Sequence, residues 1–373
     1  MEGYLRAEIS VAAIQHNLSL VRSLIGPGVK ICPVVKANAY GHGMRQVLPL
    51  LGAAADMLGV ATCSEAVQLR QLGWQRPILM FTSAAASGVN DLAELIVDDV
   101  TLTVTSLDEL DLLEEATERA RRPANVHIKV DTGMGRSGAL PEDATALATV
   151  VRKTGFIRLT GMYTHFACAE DPDKAATLAQ FARFIDTVDR CGGRGELTLH
   201  SANSAAVIDL PQTHLDMCRP GMALYGYQPG ESLHRRLPLQ PCLRLTAPVV
   251  LIKDVPGGSF TGYGLTYRFP NAARIALVPI GYADGYFRSL SNVAVMRVAG
   301  VNCPVRGRIS MDQTIIEITG LPTVHPGQIV EIISPDPAQP NSVESLARLA
   351  GTIPYEIVTR LGDRITRTTI GAF

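Results

Sequence analysis

With 373 residues the chain exceeds what one hydrophobic core usually organises, so two domains are expected unless the first is a large α/β barrel. A formal charge of −1 with 18% charged residues gives no global pull toward nucleic acid, acidic lipid or a polyanion, and a small-molecule site fits better. The seven cysteines, Cys32, Cys63, Cys168, Cys191, Cys218, Cys242 and Cys303, never form a C-x-x-C pair, which argues against a disulfide framework or a zinc site and for a reducing cytoplasm.

The start, Met1 to Glu8, lacks a basic segment followed by an apolar core, and no later run has roughly eighteen uninterrupted apolar residues, so neither export nor a membrane partner is expected. Residues 4–9 read as a short strand, and Ser10 caps a helix to about Leu24 with Val11, Ile14, Leu18 and Val21 on one face. Eight β-branched or apolar runs follow: Ile31–Val35, Met57–Ala61, Pro77–Phe81, Thr101–Thr105, Val126–Val130, Leu159–Tyr163, Glu196–Leu199 and Leu215–Cys218. Helical pattern fills the gaps, most clearly at Ser64–Leu72, Leu107–Ala120, Glu142–Arg152 and Asp173–Cys191. Strands alternating with helices imply a parallel sheet, here a (β/α)8 TIM-like barrel over residues 1–240, with a doubly wound open sheet as the alternative. After Pro241 the pattern changes to a mostly-β C-terminal domain, residues 241–373. Its strands are Leu243–Val255, Arg274–Ile280, Val293–Val298, Thr314–Ile318, Ile329–Ile333 and Thr366–Ile370, and one helix, Val343–Ala350, follows a Ser342 cap.

In such a barrel the reactive groups sit where the strands end. Lys36 ends the first strand, and a polar, glycine-punctuated loop follows it. Taken alone, a lysine there more often reaches solvent; desolvated, it would favour the neutral, nucleophilic amine. Arg136 follows the fifth strand, His165 ends the sixth, His200 to Ser204 follow the seventh, and Arg219 to Met222 the eighth. Loops after strands seven and eight are the usual phosphate-binding pair, and here they offer two serine hydroxyls and amides around Gly221. A nucleophilic lysine facing a phosphate site describes a pyridoxal 5'-phosphate enzyme, with the lysine forming the Schiff base.

The run Val34-Val35-Lys36-Ala37-Asn38-Ala39-Tyr40-Gly41-His42-Gly43 resembles the cofactor-lysine signature of the alanine racemases. The resemblance extends along essentially the whole chain, through Lys129 to Arg136, Tyr163 to Phe166, His200 to Ser204, Arg219 to Gly226, Tyr263 to Tyr267, Gly281 to Gly285 and Met311 to Gln313. The departures are Gly262 where a serine often precedes the tyrosine, Met222 where isoleucine is common and Ser310 where cysteine is common.

What this resemblance implies is specific. Lys36 would hold the cofactor and act as acid or base on the D-face, while Tyr263, presented between Gly262 and Gly264, would serve the opposite face. A free phenol titrates near about 10, so such a base needs help, which the family routes through the residues matching His165 and Arg219. Arg219, facing the pyridine nitrogen, would discourage its protonation; Arg136 would meet the cofactor phenolate and steady substrate; the Met311 backbone would meet the substrate carboxylate. Tyr40, Ser204, Gly221, Met222 and Tyr355 would contact the phosphate. Because Tyr263, Met311 and Tyr355 lie in the β domain, a head-to-tail homodimer with composite sites is implied. Lys129 is either carbamylated, to bond Arg136, or makes an ordinary contact with Asp131 or backbone. His42 and His200 read as supporting groups, and Tyr282 and Tyr286 as either core or gate.

Three rivals remain. A barrel-type decarboxylase of basic amino acids needs a glycine-rich phosphate loop and a flanked cysteine, but Gly192-Gly193 reads as a helix end and Cys303 lacks the pattern. A non-catalytic cofactor carrier would lack the second domain. A racemase of serine or a larger amino acid would need a wider pocket than Tyr355 and Met311 suggest, so alanine is the expected substrate and D-alanine for peptidoglycan the expected product.

Overall fold

Ser10 ends one element and opens the next: its hydroxyl accepts the Ala13 N–H and caps helix Val11–Ile25, which buries Ile14, Leu18, Val21 and Ile25 along one face. The fold comes from a computed structural model that describes residues 3–373; Met1 and Glu2, on which the reading of the N-terminus partly rests, lie outside the described residues. In chain order the first nine strands are β1 (Arg6–Ser10), β2 (Lys30–Ile31), β3 (Leu58–Val60), β4 (Ile78–Ser83), β5 (Val100–Val104), β6 (Ala124–Lys129), β7 (Ile157–Tyr163), β8 (Thr198–His200) and β9 (Met217–Cys218).

Strands β3 to β8 form one parallel sheet in sequence order, and β2 pairs in parallel with β9. Backbone bonds close the circuit. On one side the Gly59 N–H donates to Pro33 O and the Val35 N–H to Gly59 O, both at 2.9 Å. On the other, the Asp216 N–H donates to Leu199 O at 3.0 Å and the Arg219 N–H to Ala202 O at 2.9 Å. All eight expected strands are therefore in the barrel. They read as continuous apolar runs because helices cover one face and the barrel core the other; β5 is buried at every position.

The differences from expectation are local. The first barrel strand was expected over Ile31–Val35, but Pro33 has no N–H, so the ladder pauses and resumes as a single Val34–Gly59 bridge. The helix expected from Ser64 spans Cys63–Gln71, because Thr62 and Glu65 form a reciprocal capping box. The segment after Lys36 is a left-handed turn rather than a loop, with Ala37, Asn38, Ala39 and Tyr40 at φ of 51°, 53°, 53° and 52°.

The C-terminal strands are β10 (Leu243–Pro248), β11 (Leu251–Val255), β12 (Phe260–Thr261), β13 (Tyr267–Arg268), β14 (Ala273–Val278), β15 (Val295–Val298), β16 (Val301–Pro304), β17 (Thr314–Glu317), β18 (Ile329–Ile333) and β19 (Thr366–Ile370). The run expected as one strand over Leu243–Val255 divides after Pro248: β10 enters a six-stranded sheet of order β16-β15-β18-β10-β1-β19, and β11 enters a separate sheet with β14 and β17. Strand β1 sits between β10 and β19, so the chain's first strand belongs to the β domain's sheet. Helix Val343–Ala350 follows its Ser342 cap and stops at Gly351 in the left-handed region. A further short helix, Pro354–Thr359, opens on its proline and carries Tyr355. No described helix is long and apolar enough to cross a membrane.

Candidate active site

A cavity of about 330 Å³ opens at the C-terminal ends of the barrel strands, within the size range of small-molecule sites. Lys36, Tyr40, Lys129, Arg136, His165, Ser204, Arg219, Gly221, Met222 and Tyr355 all line it. Ten of the twelve residues named from sequence thus meet in one place. Tyr355 arrives from this chain's own β domain, so the expectation that it crosses between subunits with Tyr263 and Met311 is corrected: its short helix lies against the left-handed turn, and its ring centroid is 6.1 Å from that of Tyr40.

Burial lowers the Lys36 amine below the usual lysine range; Arg136 adds to the effect and Glu65 opposes it. The Lys129 amine is pushed down to about 8 by burial first, then by Arg136, Arg219 and Lys36. Its Nζ donates to Ser137 Oγ at 3.2 Å. The proposed Lys129–Asp131 contact does not form, because Asp131 is occupied by the loop itself: it accepts the amides of Gly133 and Met134 at 2.9 Å, Gly135 at 3.1 Å and Arg136 at 3.2 Å. Burial works against that charge, but the four amides outweigh it and hold the carboxyl below its ordinary range. Asp131 therefore shapes the loop that presents Arg136.

Arg219 is only 4% exposed, and its guanidinium is bound on several sides. Nη2 donates to Thr164 O at 2.7 Å and Ser201 O at 3.0 Å, and Nη1 donates to His200 Nδ1 at 2.8 Å. Arginine can only donate, so His200 Nδ1 is the acceptor and its proton sits on Nε2, which donates to His127 Nδ1 at 2.9 Å. Both imidazoles are neutral: burial and then Arg219 hold His127 at about 3 and His200 well below its usual range. His200 lies flat on Tyr163, ring centroids 4.8 Å apart. The supporting role read for His200 matches this geometry, and His127 beneath it went unnoticed. Its signal was Gly161 on the neighbouring strand, where a Cβ would come within 2.5 Å of His127 Nε2. His165 faces Arg219 Nη2 at 3.4 Å, and burial followed by Arg219 keeps it neutral as well.

The end of the cavity lined by Ser204 and Gly221 is equally specific. Asn203 caps helix Ser204–Asp209, and Ser204 Oγ accepts the N–H groups of Gly221 at 2.9 Å and Ala223 at 3.3 Å, leaving its own proton for a ligand. Gly221 must lack a side chain, since a Cβ would stand 2.6 Å from Tyr40 Oη. Tyr40 is held there by stacking on Tyr225 at 5.0 Å. Phe81 and Asn203 also line the cavity though neither was singled out, and the strand-end rule points to Phe81 directly.

Tyr263 and Met311 do not line this cavity. They are 72% and 54% exposed, and neither the Tyr263 hydroxyl nor the Met311 N–H makes a hydrogen bond among the described residues. Tyr263 stands between Gly262 at φ 74° and Gly264 at φ 72°, and a Cβ on Gly262 would be 2.7 Å from the Arg308 N.

Residues 9–229 match the alanine racemase N-terminal domain family, and residues 242–369 match the alanine racemase C-terminal domain family. The chain belongs to the alanine racemase family. It is an isomerase that racemises alanine, like its relatives. The alanine racemase of Methanococcus maripaludis is 39% identical over 367 residues, covering 97% of each chain. That of Desulforamulus reducens is 40% identical over 371 residues, covering 98% of each. Among solved structures, the alanine racemase of a D-cycloserine-producing Streptomyces lavendulae superposes with a TM-score of 0.92 at 34% identity, covering 100% of this chain and 98% of that one. An alanine racemase of Clostridium difficile 630 gives 0.93 at 34% identity, covering 99% and 96%.

Proposed function

We propose that the chain interconverts L- and D-alanine with pyridoxal 5'-phosphate as cofactor, in a cytoplasmic homodimer that supplies D-alanine for peptidoglycan. One observation carries the reading: a half-buried lysine amine with lowered proton affinity shares a small cavity with two arginines and with a hydroxyl-lined notch that a Cβ on Gly221 would fill. The residues present fit the cofactor. Tyr40, Ser204, Gly221, Met222 and Tyr355 would take its phosphate, Arg219 its ring nitrogen, Arg136 its phenolate and Lys36 its aldehyde carbon. When bound, the cofactor supplies an electron-withdrawing ring that acidifies the α-carbon of an attached amino acid.

The protein's own groups then divide the work. Lys36 Nζ, once released, takes or returns a proton on the D-face, which its lowered affinity for protons suits. Arg219 keeps its charge and its orientation because backbone carbonyls and His200 hold its Nη groups. A fixed cation there discourages protonation of a ring nitrogen and favours simple proton exchange over deeper chemistry. His165 is neutral, and its Nδ1 accepts from Arg219, so its proton sits on Nε2 and would be donated to a phenol oxygen. That phenol is Tyr263 of a second subunit, and the Met311 N–H of the same subunit would meet a substrate carboxylate; the free donor and the exposed ring support this reading. A methyl side chain suits a site that Tyr355, and Met311 of the second subunit, would narrow.

The decarboxylase alternative fares worse, because Cys303 is 1% exposed and burial pushes its thiol up to about 11, far from a reactive thiolate. The test is incubation with L-alanine in heavy water, following loss of the α-proton signal and appearance of D-alanine, with Lys36→Ala as control. Exchange with inversion, absent in the control, is expected. Exchange without inversion would remove Tyr263 as the second base, and no exchange would overturn the reading.

A further inference from the structure

Ala37, Asn38, Ala39 and Tyr40 occupy the left-handed region in succession, and none is glycine. Each Cβ makes that conformation unfavourable, so the turn persists only where its surroundings over-determine it. Its own backbone bonds include the Ala39 N–H to Val35 O at 2.8 Å, the Gly41 N–H to Ala37 O and the Gly43 N–H to Asn38 O at 2.9 Å, and the His42 N–H to Ala39 O at 3.0 Å, and contacts from outside hold its two ends.

The two ends are met by opposite charges from the two domains. At the start, Glu65 Oε1 accepts the Ala37 N–H at 2.6 Å, while Oε2 accepts the amides of Ala61 at 2.7 Å and Thr62 at 3.2 Å. One carboxylate thereby ties the residue beside Lys36 to the end of β3. At the finish, Arg367 on β19 donates Nε–H to Gly41 O at 2.7 Å, while its Nη groups hold the carbonyls of Leu361, Gly362 and Ile365 at 2.8, 3.2 and 3.1 Å. The signs match the turn's peptide dipoles, an anion on the free N–H end and a cation on the free carbonyl end. There is no slack: a Cβ on Gly41 would overlap the Val358 carbonyl, and one on Gly43 would lie 2.8 Å from Arg367 Cδ.

We propose that Glu65 and Arg367 are positioning residues, one from the barrel and one from the β domain, that hold Lys36 in place by clamping the left-handed turn at its two ends. Neither lines the active-site cavity. The proposal rests on Lys36 being the cofactor lysine.

The test compares wild type with Glu65→Ala, Glu65→Gln, Arg367→Ala and Arg367→Lys in the full-length protein. Hydrogen exchange of the 36–44 segment is read by mass spectrometry without added cofactor. Capture of pyridoxal phosphate is read from the borohydride-trapped Lys36 peptide, and kcat and KM for alanine are measured alongside. Both alanine variants are expected to exchange the turn about tenfold faster while β5 and β6 are unchanged, to capture cofactor more slowly and to lose kcat roughly 10- to 100-fold with little change in KM. Arg367→Lys, which keeps a donor, recovers part of the loss. Unchanged exchange at the turn would overturn the proposal, and so would faster exchange spread evenly over the barrel or unchanged cofactor capture. If wild type itself is not trapped at Lys36, the assignment of the cofactor lysine fails, and the exchange data still decide whether the clamp exists.

Discussion

The barrel mouth and the face of the β domain around Tyr263 treat their polar groups in opposite ways. At the mouth, Arg219 is buried with carbonyls and an imidazole on its Nη groups, Asp131 accepts four amides, and Ser204 accepts two. On the β domain, Tyr263, Leu265, Tyr282 and Met311 are 72%, 61%, 44% and 54% exposed. Unpaired groups are costly in a buried site and cost nothing in water, so the first region pairs its polar groups within one chain. The second leaves large apolar and aromatic side chains in water, which is what the proposed second-subunit contact requires.

The largest effect is expected where the proposed dimer would bring the two regions together. Tyr263→Phe should lose roughly 10²- to 10⁴-fold in racemisation while still exchanging the α-proton of D-alanine through Lys36. If the exposed face completes a neighbour's mouth, mixing Lys36→Ala with Tyr263→Phe subunits should restore about a quarter of wild-type activity. Half of randomly paired dimers are mixed, and each of those carries one intact site of two. Assay after subunit exchange checks this, and no recovery would mean that one chain supplies both bases.

Next in size is a test of how tightly the mouth is preformed. Gly221→Ala places a Cβ 2.6 Å from Tyr40 Oη and should weaken pyridoxal phosphate binding by about tenfold or more, measured by fluorescence titration. Because Tyr40→Phe removes the clashing oxygen, Gly221→Ala should cost less in a Tyr40→Phe background, measured against Tyr40→Phe alone, than it does in wild type. A smaller effect is expected below the mouth. Gly161→Ala crowds both His127 Nε2 and Thr198 O and should cost about 1–3 kcal/mol in urea unfolding.

The same contrast explains what the sequence made legible. The eight barrel strands stood out because runs such as Val100–Val104 are buried on both faces and carry no alternation to confuse them. The clustering of polar groups at the strand ends was legible too, since Lys36, Arg136, His165 and Arg219 each follow an apolar run and all line one cavity. The left-handed turn was not, because Ala37, Asn38, Ala39 and Tyr40 have no local preference for it and its causes, Glu65 and Arg367, lie 28 and 326 residues from the atoms they bind. Nor was the split of the β-domain residues between the two regions. Tyr355 reaches the mouth of its own chain and Tyr263 does not, a consequence of how the two domains dock rather than of any local pattern.

Lys129 offers the finest test, because the mouth's completeness has one apparent gap there. It is 7% exposed among three other cations, and among the described residues its one hydrogen-bond partner is the Ser137 hydroxyl. Unfolded, its amine titrates near about 10.4. Folded, it titrates at about 8, lowered by burial first and then by Arg136, Arg219 and Lys36. Between these values the unfolded chain binds a proton that the folded chain lacks, so this group's contribution to stability rises with pH across that window. Below it both states are charged, and the folded state carries the full penalty. Lys129→Met should therefore be more stable than wild type at pH 7, on the order of 1 kcal/mol, with the advantage shrinking toward pH 10 in urea unfolding. Carbamylation would reverse the sign. An anion among those cations would stabilise the mouth, so wild type would gain stability with added bicarbonate and Lys129→Met would not respond.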